Sequence, residues 1–201
     1  MNTNALIHVV DDDDSLRDAL LDLLAAAGFE ARGHASAGDF LLQPVPDRAG
    51  CVLLDVRMPG PSGLDLQAAL QRQGVALPVV FMTGHADVAS SVRAMKAGAV
   101  DFLEKPVARE TLFSALQQAL ARDAAQRAHR AEAQRHDQRL EHLTAREREV
   151  FDRVVAGRLN KQIADELGIS LRTVKAHRAL LMEKLGVVNA AELGRFAAGR
   201  G

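Results

Sequence analysis

The sequence predicts an α/β chain: a doubly wound, five-stranded parallel sheet of order 2-1-3-4-5, followed by an all-α unit of four short helices with helix-turn-helix grammar. Three observations carry this. The first 120 residues alternate short runs rich in Val, Leu and Ile with longer amphipathic segments, the rhythm of β-α units around a parallel sheet. Residues 107–156, 50 in all, contain neither Gly nor Pro, which suits a helical connection. The last 60 residues break into short helical segments with legible caps.

The strand candidates are Leu6–Val10, Glu30–His34, Cys51–Leu54, Val79–Thr83 and Asp101–Glu104, with helices beginning near Ser15, Ala37, Gly63, Asp87 and Arg109. Gly28, Gly74 and Gly98 follow the first, third and fourth helices, where a left-handed residue ends a helix. In the connection, Leu116, Leu120, Ala124, Ala128 and Ala131 form only a broken heptad, a weak basis for a coiled coil. His129, His136 and His142 recur at seven and six residues, not at the i, i+4 spacing of helical metal ligands, and read as a solvated helix face. The final helices are expected near Ala145–Ala156, Lys161–Leu167, Leu171–Leu185 and Ala190–Ala198. Thr144 and Glu147 form a capping box for the first of them, and Gly157 closes it. Small Ala164 and turn-forming Gly168 allow the next two to cross closely. The boundaries are therefore 1–123 for the sheet domain, 124–140 for a helical linker and 141–201 for the helix-turn-helix domain.

Composition narrows the function classes. With 48% apolar and 25% charged residues the chain is globular, and its longest apolar runs fall far short of the roughly 20 residues a membrane span requires. A start of Met1-Asn2-Thr3-Asn4 without a secretory pattern, together with a single cysteine, points to a reducing cytoplasm. Cys51 itself reads as buried strand core. The net charge of −1 conceals an asymmetry of −6 over residues 1–123, +2 over 124–140 and +3 over 141–201. Nucleic acid is disfavoured at the first domain and permitted at the last.

In a sheet of this order strands one and three are neighbours, so Asp11 and Asp12 after the first strand converge with Asp55 at the end of the third. Three carboxylates together call for a cation, and hard oxygen donors suit Mg²⁺. Thr83 ends the fourth strand and Lys105 the fifth, adding a hydroxyl and an ammonium to the same crevice. Such a frame fits a phosphoryl group: a carboxylate attacks phosphorus in line while cations neutralise the equatorial oxygens. Asp55, isolated between Leu54 and Val56, is the nucleophile candidate. For the acidic run alone a solvated helix-capping loop is the simpler reading, and Asp13 and Asp14 are assigned to it.

The segments Val9-Val10-Asp11-Asp12-Asp13, Leu54-Asp55-Val56-Arg57-Met58-Pro59-Gly60, Phe81-Met82-Thr83-Gly84-His85 and Phe102-Leu103-Glu104-Lys105-Pro106 resemble the receiver domain of two-component response regulators, a CheY-like fold, over residues 5–122. Met95 to Pro106 is similar to the FixJ branch. The resemblance implies that Asp55 accepts phosphate from a sensor histidine kinase. It further implies that Asp12 and Asp55 bind Mg²⁺ directly, Asp11 through water and Arg57 through its backbone carbonyl. Lys105-Pro106 would be a cis peptide, and Phe102 would rotate into space vacated when Thr83 is drawn to the phosphoryl group. Arg57 and His85 stand where receivers tune the lifetime of the aspartyl phosphate. Arg93, Lys96, Asp101 and Glu104 lie on the face through which receivers pair on phosphorylation, although charged residues alone would read as solvated surface.

Leu143-Thr144-Ala145-Arg146-Glu147-Arg148-Glu149-Val150, Asn160-Lys161-Gln162-Ile163-Ala164 and Thr173-Val174-Lys175-Ala176-His177-Arg178 resemble the LuxR/NarL-type helix-turn-helix over residues 141–198. The helix beginning near Leu171 would enter the major groove of double-stranded DNA by its N-terminal turns, which carry Arg172, Thr173, Lys175, Ala176, His177 and Arg178. By the resemblance Lys175 and Ala176 contact base edges. Lys161, Thr173 and Arg178 suit phosphates, and His177, on the same turns, either contacts DNA or does no more than pack or hold backbone. The implied protein is a non-enzymatic transcription regulator, usually an activator in this family, with RNA polymerase as a further candidate partner. The alternatives are a phosphorelay protein with a protein-binding output domain and a Mg²⁺-dependent phosphohydrolase.

Overall fold

Five strands, Leu6–Val10 (β1), Glu30–His34 (β2), Gly50–Asp55 (β3), Val79–Thr83 (β4) and Asp101–Glu104 (β5), pair in parallel in the order β2-β1-β3-β4-β5. The computed structural model describes residues 5–44, 46–84 and 88–199. Between the strands run α1 (Asp14–Ala26), α2 (Ala37–Leu42), α3 (Gly63–Arg72) and α4 (Val88–Lys96). The expected start of the fourth helix at Asp87 lies outside the described residues. β1, β3 and β4 are buried along their whole length, which is why they read as near-continuous apolar runs.

Successive strand side chains point to opposite faces, so one core forms on each side of the sheet. Ile7, Val9, Leu53 and Met82 meet Leu20 and Leu24 of α1 and Leu112 and Leu116 of α5 (Arg109–Glu141). Val10, Leu54 and Phe81 meet Phe40, Leu66 and Leu70 from α2 and α3. Reversal of the winding direction between β1 and β3 opens a crevice at the carboxyl ends of the strands. Register decides what stands there. Val10 pairs with Leu54, so Asp11 and Asp55 come next to each other, and Thr83 pairs with Glu104, so Lys105 follows beside them.

Local signals set the helix ends. Asp13 caps α1 by accepting from the Leu16 N–H at 3.1 Å, and Ser62 with Asp65 forms a capping box on α3. Gly28, Gly74 and Gly98 all carry positive φ at the C-termini expected for them. The fifth helix continues as one 33-residue helix through the segment read as a linker. Leu116 is core and Leu120 packs against it, which removes both from any coiled-coil seam.

The chain divides into two compact units, Met1–Arg127 and Ala128–Gly201. In the second, α6 (Ala145–Val155), α7 (Asn160–Leu167), α8 (Leu171–Leu185) and α9 (Ala190–Ala198) enclose Val150, Phe151, Ile163, Val174, Leu181, Leu185 and Leu193. Gly168 turns α7 into α8 with φ of 62°. Glu147 is buried, joins Thr144 N–H at 2.8 Å and pairs with Lys184 at 2.6 Å. The Lys184 ammonium and the Thr144 amide hold its carboxyl below the ordinary range. One expectation is corrected here: His136 is not on a solvated face. Its ring stacks on Phe196 at 4.2 Å and its Nε2 lies 2.8 Å from the Phe196 carbonyl, because α9 supplies an aromatic platform that helical spacing does not reveal.

The receiver-like unit also buries a histidine pair. His8 Nδ1 lies 3.0 Å from His34 Nε2, the two are 4% and 1% exposed, and Phe40 meets both rings edge-on. Burial first, then each ring's charged neighbours, pushes His8 down to about 4 and lowers His34. Arg32, Arg48 and Arg17 surround the pair, and only Asp39 opposes them. The unfolded chain therefore binds protons that the folded chain rejects, and stability falls as pH drops below about 6.5. Urea unfolding at pH 5 is expected to give on the order of 2 kcal/mol less stability than at pH 7. His8→Leu should flatten that slope; an equally steep slope would assign the acid loss to other groups.

Candidate functional site

The cluster at the strand ends is built around an ammonium. Lys105 Nζ lies 2.7 Å from Asp11 Oδ2 and 2.7 Å from Asp55 Oδ1, so one cation joins carboxylates from β1 and β3. Both carboxylates are nearly out of solvent. Asp55 Oδ2 accepts the Arg57 N–H at 2.7 Å, and Asp11 Oδ1 accepts the Asp13 N–H at 3.0 Å. Every oxygen of the pair thus has a donor, as buried carboxylates require. Burial pushes the Asp55 carboxyl upward against the pull of Lys105. Burial also disfavours the Lys105 ammonium, but hydrogen bonds to Asp11 and Asp55 outweigh it and raise its affinity for the proton.

Asp12 does not join the pair. The Asp11 N–H continues the sheet by bonding the His34 carbonyl at 3.1 Å, which turns its side chain inward, while Asp12, one residue on, is exposed. The expected convergence of three carboxylates is corrected to two. Among the described residues no three Asp, Glu, His or Cys side chains come together closely enough to hold a metal ion. The donor chemistry nevertheless suits a hard divalent cation, since two carboxylates already point at one cationic atom.

Thr83 is fully buried at the end of β4, and its carbonyl accepts the Lys105 N–H at 2.8 Å. Lys105-Pro106 is cis. Phe102 is partly buried with its ring 6.0 Å from Phe81. His85 lies outside the described residues. Cys51 is wholly buried, and burial drives its thiol up to about 12, so it is inert strand core.

Arg93, Lys96 and Glu104 are exposed and Asp101 partly so. Sequence reading missed the apolar stripe between them. Val88, Val92 and Met95 recur on α4 at i, i+4 and i+7, and are 80%, 44% and 47% exposed. It missed two positioning residues as well. Arg17 donates to the Asp11 carbonyl at 2.7 Å. Gly63 packs so tightly that a Cβ there would sit 2.1 Å from the Asp55 carbonyl oxygen. A glycine at the first turn of a helix, behind a Ser cap, was the available signal.

On the helical unit Lys161, Arg172, Lys175 and Ala176 are exposed at the α7 and α8 N-termini. Thr173 is partly occupied: its amide and hydroxyl meet the Ser170 hydroxyl at 3.0 and 2.8 Å in the α8 cap. Arg178 is turned to Asn160, the first residue of α7. The His177 ring is partly buried and its Nδ1 finds no protein partner.

Residues 7–117 match the response regulator receiver domain, and residues 141–197 match the bacterial regulatory proteins of the luxR family. The transcriptional regulatory protein FixJ of Azorhizobium caulinodans is 44% identical over 95% of this chain and 90% of its own length. The C4-dicarboxylate transport transcriptional regulatory protein DctR of Rhodobacter capsulatus is 45% identical over 94% and 98%. The chain belongs to the FixJ-type response regulators. The solved structure of the response regulator StyR agrees, with a TM-score of 0.89 at 42% identity over 97% of this chain and 98% of that one. This response regulator thus couples a receiver to a LuxR-type DNA-binding domain and regulates transcription. No helix among its described residues is long and apolar enough to cross a membrane.

Proposed function

We propose that Asp55 of this response regulator takes a phosphoryl group from a sensor histidine kinase in the cytoplasm, and that the phosphorylated receiver pairs and brings two recognition helices to a two-fold DNA site. The observation that carries this is the sharing of Lys105 Nζ by Asp11 and Asp55 at 2.7 Å each. The ammonium keeps Asp55 ionised as a nucleophile although the site is nearly dry. In the transfer an Asp55 oxygen forms the new P–O bond as the P–N bond to the kinase histidine breaks, and the electron pair leaves with the imidazole. Lys105 then exchanges its bond to Asp55 for an equatorial phosphoryl oxygen, and the Thr83 hydroxyl donates to another. Asp11, Asp55 and the Arg57 carbonyl would hold Mg²⁺, which supplies neutralisation of the phosphoryl oxygens when bound.

The α4–β5 face reads the change. Thr83 moves toward the phosphoryl group and Phe102 turns into the space behind it. Val88, Val92 and Met95 then form the apolar centre of a pairing surface rimmed by Arg93, Lys96, Asp101 and Glu104. That order of roles follows from exposure, since apolar burial favours association and rim charges set register. At DNA, Lys175 and Ala176 read bases, and Lys161, Arg172 and Thr173 hold phosphates. His177 and Arg178 brace the recognition helix, and the bound dimer activates transcription through RNA polymerase.

The test is a duplex selected from random DNA with the phosphorylated chain. Phosphodonor with Mg²⁺ should raise affinity for it, and Lys175→Ala should weaken binding by about 1–3 kcal/mol, the discrimination of one base contact. Phosphoryl incorporation into Lys175→Ala should be unchanged. Undiminished affinity in that variant would remove α8 as the reading element.

A further inference from the structure

The fifth helix leaves the sheet core at Ala119 and Leu120, yet it stays attached for two further turns through polar groups alone. Asp123 is 1% exposed although it is a carboxylate. It accepts the N–H of Gly50, the first residue of β3, at 3.1 Å and the Nε–H of Arg127 at 3.1 Å. Arg127 spreads its remaining donors over the loop before β3: Nη1 meets Asp47 at 2.8 Å, and Nη2 meets the Arg48 carbonyl. Arg48 is in turn held by Glu30 of β2, at 2.6 Å and 3.1 Å. A buried carboxylate, a β3 amide and a forked guanidinium therefore fasten the helix to the amino-terminal end of the sheet, opposite the phosphoacceptor.

Between Arg127 and His136 the helix has no such support. Residues 128–135 are all exposed, and the next buried residue is Leu140. A short helical segment without packing is marginal in water, so its helicity depends on a formed turn at its start from which hydrogen bonding can propagate. Asp123 and Arg127, one turn apart, supply that turn.

We propose that Asp123 and Arg127 form a coupling clamp, which keeps the connecting helix continuous with the receiver so that phosphorylation at Asp55 changes DNA binding. The proposal rests on the phosphorylation switch put forward above. Neither residue touches the phosphoacceptor cluster, so loss of the clamp separates chemistry from output. Arg127 is the residue to change, because it is partly exposed and its loss leaves Asp123 bonded to Gly50.

In the full chain, Arg127→Ala should accept phosphate at the wild-type rate. Amide exchange over residues 121–135 should quicken roughly tenfold, the effect of losing contacts that together contribute about 1.4 kcal/mol. The gain in duplex affinity produced by phosphodonor should fall to less than a third, a change well above the roughly twofold scatter of such measurements, while affinity without phosphodonor stays constant. Arg127→Lys, which retains the charge opposite Asp123 but not the fork, should lie between. Unchanged exchange would overturn the clamp, and a gain that survives faster exchange would overturn the coupling. If phosphorylation of the wild-type chain gives no gain, the coupling falls together with the proposed switch, and that result is distinct from a wild-type gain that Arg127→Ala keeps.

Discussion

Replacing Asp55 by Asn is expected to abolish acid-labile phosphoryl incorporation from a small phosphodonor with Mg²⁺. The amide nitrogen carries no nucleophilic lone pair, and the amide oxygen is far weaker than a carboxylate oxygen. Asn keeps the shape of Asp, so the fold should survive. Its oxygen can accept from either Lys105 or the Arg57 N–H, whereas Asp55 satisfies both. One lost hydrogen bond costs about 1–3 kcal/mol, offset in part by no longer burying a charge. Phosphoryl incorporation and circular dichroism measured together separate loss of chemistry from loss of fold. Full labelling of Asp55→Asn would place the acceptor elsewhere.

Gly63→Ala should have the second large effect, and for a reason unrelated to backbone freedom. Gly63 is the first residue of α3, and its neighbour is backbone, not a side chain that can swing away: a Cβ would lie 2.1 Å from the Asp55 carbonyl oxygen and 3.1 Å from Leu54 Cγ. Overpacking a core costs typically 1–3 kcal/mol. With rigid backbone at the closest contact the cost here is expected at or above about 3 kcal/mol, or ~10 °C in Tm. Relief requires Asp55 to move, and a displacement near 1 Å lowers a positioned reaction by roughly 10²-fold. Gly60 supplies the contrast. It has φ of 81° and open space, with no atom within 4 Å of where a Cβ would stand, so Gly60→Ala carries only the left-handed backbone cost of about 1–2 kcal/mol. Denaturation and phosphodonor labelling of both variants check the pair, and equal losses would rule out the Asp55 contact as the cause.

Much of this response regulator was legible because its signals are local. Strands β1, β3 and β4 are short apolar runs in sequence and wholly buried in space, and the Thr144–Glu147 box stands three residues apart in both. Asp55, Thr83 and Lys105 were legible as strand-end residues, since a parallel sheet brings all its carboxyl ends to one edge. The errors came where periodicity has no information. His136 and Leu116 sit on a helix whose spacing says nothing of what lies opposite them, and Phe196 and the sheet core settle their surroundings. Asp12 differs from Asp11 by one residue, and only the direction of the strand end decides which of them turns inward.

Sequence by itself determined the order of elements, several of their caps and the candidate residues for phosphoryl and DNA chemistry, because each of these follows from spacing over a few residues or from family motifs. Tertiary structure decided which charges meet. Lys105 reaches Asp11 across 94 residues and Asp55 across 50, and Asp123 reaches the Gly50 amide across 73. Such contacts depend on strand register and on the depth at which a helix settles against the sheet. Both are fixed by packing of the two cores as a whole, and no short stretch of the chain contains them.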